Sequence, residues 1–260
     1  MRLDIYLFRN GLAKSRTRAG ELISGEFVQV NGSIVKKASY DVSDEDEIVL
    51  LGEEHSFVGR GGMKLEEALK RFEIDVKDMI CADIGASTGG FTDCLLKRGA
   101  AKVYAVDSGH GQLEESLRED ERVVNLEGIN ARFLSEEIIP EKCGIAVIDL
   151  SFISQTLVLP AVKNILSENA IVITLIKPQF ECGRSALNKN GIVRDKKMHV
   201  SAIRTVIASA TENGLMPKGL IKSPVKGGDG NTEFLLLAGN YGTASVTDDL
   251  IKGVADEQNK

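Results

Sequence analysis

The sequence predicts an α/β protein: a doubly wound, mostly parallel sheet of seven strands, preceded by a small α+β domain of different character. Three observations carry that prediction. From Met79 onward, short apolar runs alternate with helical patterns. Within this region the stretch "CADIGASTGGFTDCLLKRGAAKVYAVDSG", Cys81 to Gly109, sets an apolar run ending in Asp83 against a small-residue turn, then a helical pattern, then a second apolar run ending in Asp107, which outlines a strand–helix–strand unit. Charge is also divided unevenly. Residues 1 to 40 hold the seven cations Arg2, Arg9, Lys14, Arg16, Arg18, Lys36 and Lys37 against Asp4, Glu21 and Glu26, a net of +4, so the total of −6 leaves −10 for the remainder. A basic head on an acidic body suggests that the head meets a polyanion while the body works on something else.

At 260 residues, 43% hydrophobic and 27% charged, the chain has the length for a large domain and a small one. Its four cysteines, Cys81, Cys94, Cys143 and Cys182, form no CxxC pair, and charges interrupt the apolar residues of "MRLDIYLFRNG" where an export signal needs an unbroken run. A reducing cytoplasm is the expected location. The best apolar run, "AIVITLI" from Ala170 to Ile176, falls far short of the roughly 18 to 20 residues of a membrane helix, which argues against a membrane-spanning toxin or transporter. His55, His110 and His199 share no ligand spacing with cysteine or acid, so no metal is expected.

The head reads as residues 1–55. "RLDIYLFRNG" is helical by its Leu3, Leu7 spacing and stops at Gly11, and "SRTRAGELISGE" makes a second short helix capped by Ser15. "FVQVNGSIVKK" is a hairpin, because Asn31-Gly32 between alternating apolar residues suits a turn that needs positive φ at both central positions. "SYDVSDEDEIVLL" adds a strand. Arg16 and Arg18 at the start of the second helix join guanidinium forks to free backbone N–H groups, a combination suited to phosphate oxygens. Without an aromatic ladder for stacking single strands, recognition of folded RNA by shape and backbone fits better. The core "GLAKSRTRAGELISGEFVQVNG" resembles the α-L RNA-binding domain, over about residues 1 to 50.

After a linker at 56–60, the body is expected over 61–245, with a tail at 246–260. Strands are predicted at Met79–Gly85, Lys102–Asp107, Val123–Glu127, Ile145–Leu150, Ala170–Lys177, Met216–Ser223 and Glu233–Gly239, and helices at Met63–Phe72, Gly90–Arg98, Ser154–Leu166 and Lys196–Asn213. Seven strands with a late hairpin-like pair resemble the Rossmann-like sheet of class I methyltransferases, in which the last strand inserts antiparallel to the others.

In such sheets ligands bind beyond the carboxyl ends of the strands, so the turn after Asp83 is expected to line a cofactor cleft. "DIGASTGGF" is neither the GxGxxG of dinucleotide sites nor a P-loop. Gly85, Gly89 and Gly90 would let backbone approach a ligand without a pyrophosphate, together with Ala86, Ser87 and Phe91. Asp107 sits where an acid can take both ribose hydroxyls, and Asn130 in "EGINAR" is expected to face the adenine. His110 is a further candidate for the cleft wall. The combination resembles a site for S-adenosyl-L-methionine.

Four polar residues then recur where buried strands would prefer none. Lys64 lies in "RGGMKLEEAL", Asp149 ends "IAVIDLSF", Lys177 ends "IVITLIKPQF" and Glu233 opens "EFLLLAG". If the final strand runs antiparallel, its beginning shares a sheet edge with the ends of the parallel strands, so these residues converge. Lys, Asp, Lys, Glu in this order resembles the tetrad of the FtsJ-like ribose 2′-O-methyltransferases. With "GRGGMKL", "DIGASTGGF", "DLSFIS", "LIKPQFE" and "GGDGNTEF", the whole chain is similar to the TlyA-type ribosomal RNA methyltransferases, a family also called hemolysins. The resemblance implies 2′-O-methylation of a cytidine in ribosomal RNA or a ribosomal subunit, with S-adenosyl-L-methionine as donor. Lys177 is then the expected base or oxyanion stabiliser, since a ribose hydroxyl is a poor nucleophile. The segment "PQFECGRSALNKNGIVRD" is read as a mobile lid or a loop with no role.

Two rival classes fare less well. A cytolysin needs an export signal or an amphipathic lytic helix, and neither is visible; an inert RNA-binding module should have lost tetrad residues, and all four stand.

Overall fold

The computed structural model describes residues 1–13, 15–24, 27–50, 57–228 and 230–257, without the side chains of Arg18, Glu21 and Ser24. The chain divides into two compact units, Met1–Ser56 and Phe57–Lys260.

In the first unit, helices α1 (Leu3–Arg9) and α2 (Arg16–Ser24) pack on a small antiparallel sheet of β1 (Val28–Val30), β2 (Ser33–Ile34) and β3 (Ile48–Leu50), ordered β2-β1-β3. Leu3 and Leu7, one helical turn apart, meet Ala19 and Ile23 of α2 and Val28 and Val30 of β1 in its core. The hairpin forms as the sequence predicts. Val30 pairs with Ser33, and the turn between them has φ of 51° at Asn31 and 77° at Gly32. Of the expected RNA-binding residues, Lys14 and the side chain of Arg18 lie outside the described residues.

The second unit runs α3 (Gly61–Arg71), β4 (Ile80–Ile84), α4 (Gly90–Lys97), β5 (Lys102–Asp107), α5 (Glu115–Arg118), β6 (Val123–Glu127), β7 (Cys143–Ile148), α6 (Leu159–Val162), β8 (Leu166–Ile176), α7 (Pro178–Glu181), α8 (Lys196–Glu212), β9 (Met216–Lys222), β10 (Phe234–Gly239) and α9 (Asp248–Asp256). The sheet order is β6-β5-β4-β7-β8-β10-β9, parallel from β6 to β8, with β10 antiparallel to both neighbours. Successive strand residues point to opposite faces, so Ala82, Ile84, Ala146 and Ile148 join α8 in one core while Cys81, Val103, Ile145 and Val147 join α3 and α4 in another. All four cysteines are free thiols, and no helix among the described residues is long and apolar enough to cross a membrane.

Four expectations need correction. The helix predicted over Ser154–Leu166 is broken into a 3₁₀ turn at Gln155–Leu157, α6 and a second 3₁₀ turn at Lys163–Ile165. Pro160 lacks the N–H that an unbroken helix would bond back to Thr156. Strand β8 begins at Leu166 rather than Ala170. The linker expected at 56–60 cannot extend past Ser56, because Phe57 is buried beside Gly62 in the core of the second unit. The segment read as a tail contains α9, whose Ile251, Val254 and Ala255 sit at helical spacing and are buried in the core against α8 and β9.

Candidate functional site

A cleft of about 540 Å³ opens at the carboxyl ends of the parallel strands. It is lined by Gly85 and Ser87 after β4, by Asp107, Ser108, Gly109 and Gln112 at and after β5, by Asn130 and Arg132 after β6, and by Asp149, Ser151 and Phe152 after β7. Val106, Ile129, Ala131 and Val158 give it an apolar floor. This is where the strand order changes direction around β4, the position at which open α/β sheets leave a crevice.

Asp107 is held by the turn it faces. Its Oδ2 accepts the Ser87 N–H at 2.8 Å and its Oδ1 the Gly109 N–H at 2.7 Å. Each oxygen keeps a lone pair toward the cleft. Asn130 also lines the cleft, and its side-chain oxygen caps a 3₁₀ turn by accepting the Arg132 N–H at 3.1 Å.

Five of the nine residues expected around a cofactor do not reach the cleft. Asp83 is fully buried beneath the turn, with Oδ2 accepting the Thr92 hydroxyl at 2.7 Å and Oδ1 unpartnered. Burial pushes its carboxyl up to about 7, with the nearby Asp149 and Asp107 charges adding to the rise. Ala86 and Phe91 are core residues. Gly89 and Gly90 serve packing: a Cβ on Gly89, whose φ is 97°, would lie 2.2 Å from Leu117, and one on Gly90 would lie 3.0 Å from the Gly62 nitrogen. Gly85 does line the cleft, yet a Cβ there would lie 2.4 Å from the Asp149 carbonyl oxygen, so this glycine lets two strand ends meet. His110 is exposed, abuts Gly128 and does not line the cleft.

The tetrad candidates assemble as two ion pairs at the same sheet edge. Asp149 follows β7 and Lys177 follows β8, while Glu233 precedes β10, so all three stand just outside strands predicted to include them. Register brings them to one edge: Ile176 pairs with Phe234, which sets Lys177 level with Glu233, and Ile148 pairs with Thr174, which leaves Asp149 two residues short of Lys177, within reach of its long side chain. Lys177 Nζ lies 2.5 Å from Asp149 Oδ1 and donates to Ser151 Oγ at 2.9 Å. Lys64, in the first turn of α3, places Nζ 2.7 Å from Glu233 Oε2, with both side chains buried. Gly227 makes room for that carboxylate, since a Cβ there would lie 2.5 Å from Glu233 Oε1. Asp149 and Ser151 line the cleft, so the Lys177 pair adjoins it.

Two features escaped the sequence reading. Phe152 is 91% exposed at the cleft mouth with φ of 66°, an uncommon conformation for a bulky residue, and its ring lies 5.2 Å from that of Phe180. Its place after an acid that ends a strand was the available signal. The loop read as a lid is tied down: Asn188 Oδ1 accepts from the Asn190 and Ile192 N–H groups, and buried Asn231 accepts the Val193 N–H at 2.9 Å while donating to the Gly191 carbonyl at 3.0 Å.

In the first unit, Arg2 and Arg16 both bind the buried Asp4. Arg2 does so through two bonds of 2.9 Å and Arg16 through one of 3.2 Å, while each guanidinium stays about half exposed. The Arg2 hydrogen bonds foremost hold the Asp4 carboxyl down at about 2. Arg16 thus fastens α2 to α1 and Arg2 braces the start of α1, while both face solvent. Arg9, Lys36 and Lys37 are exposed. Among the described residues no cluster of histidine, cysteine and acid could hold a metal ion.

A parallel sheet with one antiparallel insertion and an acid-edged cleft at its carboxyl ends defines a methyltransferase-type α/β domain, in a chain that also carries a small α+β head. The chain belongs to the FtsJ-like methyltransferase family, which matches residues 57–240, and its residues 1–48 match the S4 domain. It is 44% identical to the 16S/23S rRNA (cytidine-2′-O)-methyltransferase TlyA of Mycobacterium tuberculosis over 90% of this chain and 88% of that one. It is 42% identical to Hemolysin A of Brachyspira hyodysenteriae over 90% and 98%. A solved hemolysin-type protein from Streptococcus thermophilus superposes with a TM-score of 0.78 at 41% identity, covering 98% of this chain and 94% of the other.

Proposed function

We propose that this protein methylates the 2′-hydroxyl of a ribose, that of a cytidine, in ribosomal RNA or a ribosomal subunit, with S-adenosyl-L-methionine as donor. The observation that carries the reading is the Asp149–Lys177 pair standing at the wall of the acid-edged cleft. The cleft suits the donor. Its volume lies within the roughly 300 to 1,000 Å³ of small-molecule sites. Its apolar floor suits an adenine, Asp107 suits ribose hydroxyls, and the carboxylates of Asp107 and Asp149 favour a cation and repel a pyrophosphate. Gly85, Ser87, Asp107 and Asn130 would touch the cofactor, while Asp83, Ala86, Gly89, Gly90 and Phe91 shape the turn that presents it.

The bound donor supplies an electrophilic methyl group on a sulfonium. This chain supplies position and proton handling. Lys177 is the catalytic residue proposed to meet the ribose hydroxyl, taking its proton or stabilising the oxygen as it becomes negative, and Asp149 and Ser151 aim its Nζ. The Lys64–Glu233 pair completes the tetrad by closing the same edge. The head is proposed to hold RNA through Arg9, Lys14, Arg18, Lys36 and Lys37, with Arg2 and Arg16 offering their exposed N–H groups.

The test is transfer of labelled methyl to intact subunits and to stripped ribosomal RNA, with Lys177→Ala and Lys177→Arg beside the parent. Alanine should lower the single-turnover rate by about 10² to 10⁴-fold with little change in either dissociation constant. Arginine stays protonated, so it should fail as alanine does if Lys177 is a base and recover rate if the residue only stabilises charge. Parental transfer by Lys177→Ala would remove the residue from the reaction. Absence of transfer to any ribosomal RNA would remove the function.

A further inference from the structure

Glu127 ends β6, directly beside Asp107 in the register of β5 and β6. It does not line the cleft. Its carboxylate instead collects three successive backbone donors: Oε2 accepts the Gly111 N–H at 2.8 Å, and Oε1 accepts those of Gln112 at 2.9 Å and Leu113 at 3.2 Å. Three N–H groups turned on one acid form a concave anion nest closed by the protein's own side chain.

The segment so held is the cleft wall. Ser108, Gly109 and Gln112 all line the cleft, and the Gln112 side chain meets the Ser87 hydroxyl at 3.3 Å. Asp107 holds the near end of the segment through the Gly109 N–H, and Glu127 holds the far end. Leu113, next in the chain, is buried against the Gly89 position of the turn after β4. A shift of the 111–113 backbone would therefore move both Gln112 and the turn that presents Ser87. The bonds from Gly111 and Gln112 hold the carboxyl down at about 2, with Leu113 adding to them, so the clamp stays charged across the physiological range.

Stability needs this clamp little. Gly111 and Gln112 are exposed, so water can take their N–H groups if the acid is lost; of the three donors the Leu113 N–H alone belongs to a buried residue, and its bond, at 3.2 Å, is the longest. What would be lost is the fixed shape of the wall.

We propose that Glu127 is a positioning residue for the cofactor, setting the 108–113 backbone so that Asp107 and Gln112 meet a nucleoside ligand without having to be ordered by it. The inference rests on the cleft being the S-adenosyl-L-methionine site. In Glu127→Gln the amide NH₂ faces backbone donors, so at most one side of the clamp survives. Calorimetric titration of the full chain with S-adenosylhomocysteine should give affinity weakened about 10 to 100-fold, the worth of charge-assisted bonds. KM for the methyl donor should rise with kcat at saturation kept, and the thermal midpoint and RNA affinity should stay close to the parent. Glu127→Asp keeps the charge one methylene short and should bind better than Glu127→Gln; equal loss in both would assign the effect to packing and overturn the proposal. Asp107→Ala separates the two readings. If it abolishes binding while Glu127→Gln binds as the parent does, the positioning role is wrong and the cofactor site stands. If neither variant weakens binding, the site itself is elsewhere and both fall.

Discussion

Replacing Asp83 with Asn should remove one large component of the pH dependence of stability. The side chain is fully buried, accepts the Thr92 hydroxyl at Oδ2, and leaves Oδ1 without a partner. Burial first, and then the Asp149 and Asp107 charges, raise its carboxyl from 3.8 to about 7. The folded protein thus keeps a proton that the unfolded chain releases, so this group makes stability fall as pH rises from 3.8 to about 7 and then level off. Roughly three units at ~1.4 kcal/mol each make a loss of about 4 kcal/mol. Asparagine is neutral throughout. Its NH₂ at the unpartnered Oδ1 position adds a penalty that does not change with pH, so the shape of the difference curve is unaffected. Urea unfolding of both proteins from about pH 4 to about pH 8 measures that difference, and the groups that do not interact with Asp83 cancel in it. The variant should gain on the parent by about 4 kcal/mol across the interval. Parallel curves would mean that Asp83 is ionised when folded, with a solvated or paired carboxylate that this geometry does not contain.

The remaining predictions concern the turn, the edge and the head. Gly89→Ala adds a Cβ at 2.2 Å from Leu117 on a backbone with φ of 97°, and should cost about 1 to 3 kcal/mol in chemical unfolding. Glu233→Gln should destabilise by about 3 to 5 kcal/mol by leaving the buried Lys64 charge unpaired, whereas the double variant Lys64→Met, Glu233→Leu should be close to parental in stability and inactive in methyl transfer. Asp4, held down at about 2 chiefly by Arg2, contributes stability that is present above the ordinary 3.8 and lost as pH falls through about 2; amide exchange at Leu3 and Leu7 should record that loss in the parent and not in Asp4→Asn. Lys37→Ala should weaken ribosomal RNA binding and reduce its salt slope by about one without changing cofactor affinity.

What could be read in the sequence was what depends on local pattern. The Asn31-Gly32 turn and the alternation of strands and helices follow from turn chemistry and periodicity, which act within a few residues, while the antiparallel β10 is expected from the resemblance to class I methyltransferases. What stayed hidden was anything decided by a distant partner. Gly89 and Gly90 have the look of a ligand-binding turn, yet the atoms that forbid a side chain there belong to Leu117 and Gly62. Asp83 belongs to the same motif as Ser87 but points into the interior, because it lies inside β4 while Ser87 lies beyond it. Asp149, Lys177 and Glu233 could be assigned to one edge from strand direction alone, but the partition into Lys64–Glu233 and Lys177–Asp149 needed side-chain positions. Glu127 carried no signal at all, since its three partners are backbone groups that any sequence has.

Charge links the two units to the proposed reaction. A cleft that favours a cationic donor must be acidic, and Asp107 and Asp149 edge it with carboxylates; an acidic cleft in a unit whose residues 57–260 carry a net charge of −3 repels RNA. Two features answer this conflict. At the sheet edge Lys177 and Lys64 each pair with an acid, so the place where a ribose would enter is locally near neutral while the cofactor side keeps the unpaired Asp107. The attraction is left to the first 40 residues of the head, net +4, because residues 41–56 carry seven acids and no lysine or arginine and bring that unit to −3. With a Debye length of about 8 Å at physiological salt, a body charge farther than that from bound phosphate is largely screened, whereas head cations in contact are not. Detaching residues 57–260 from the head should therefore leave cofactor affinity unchanged while RNA affinity collapses most steeply at low salt, where the repulsion of the body is least screened. A detached body that bound ribosomal RNA as tightly as the full chain would show that its own surface supplies the attraction, and the division of charge would need another explanation.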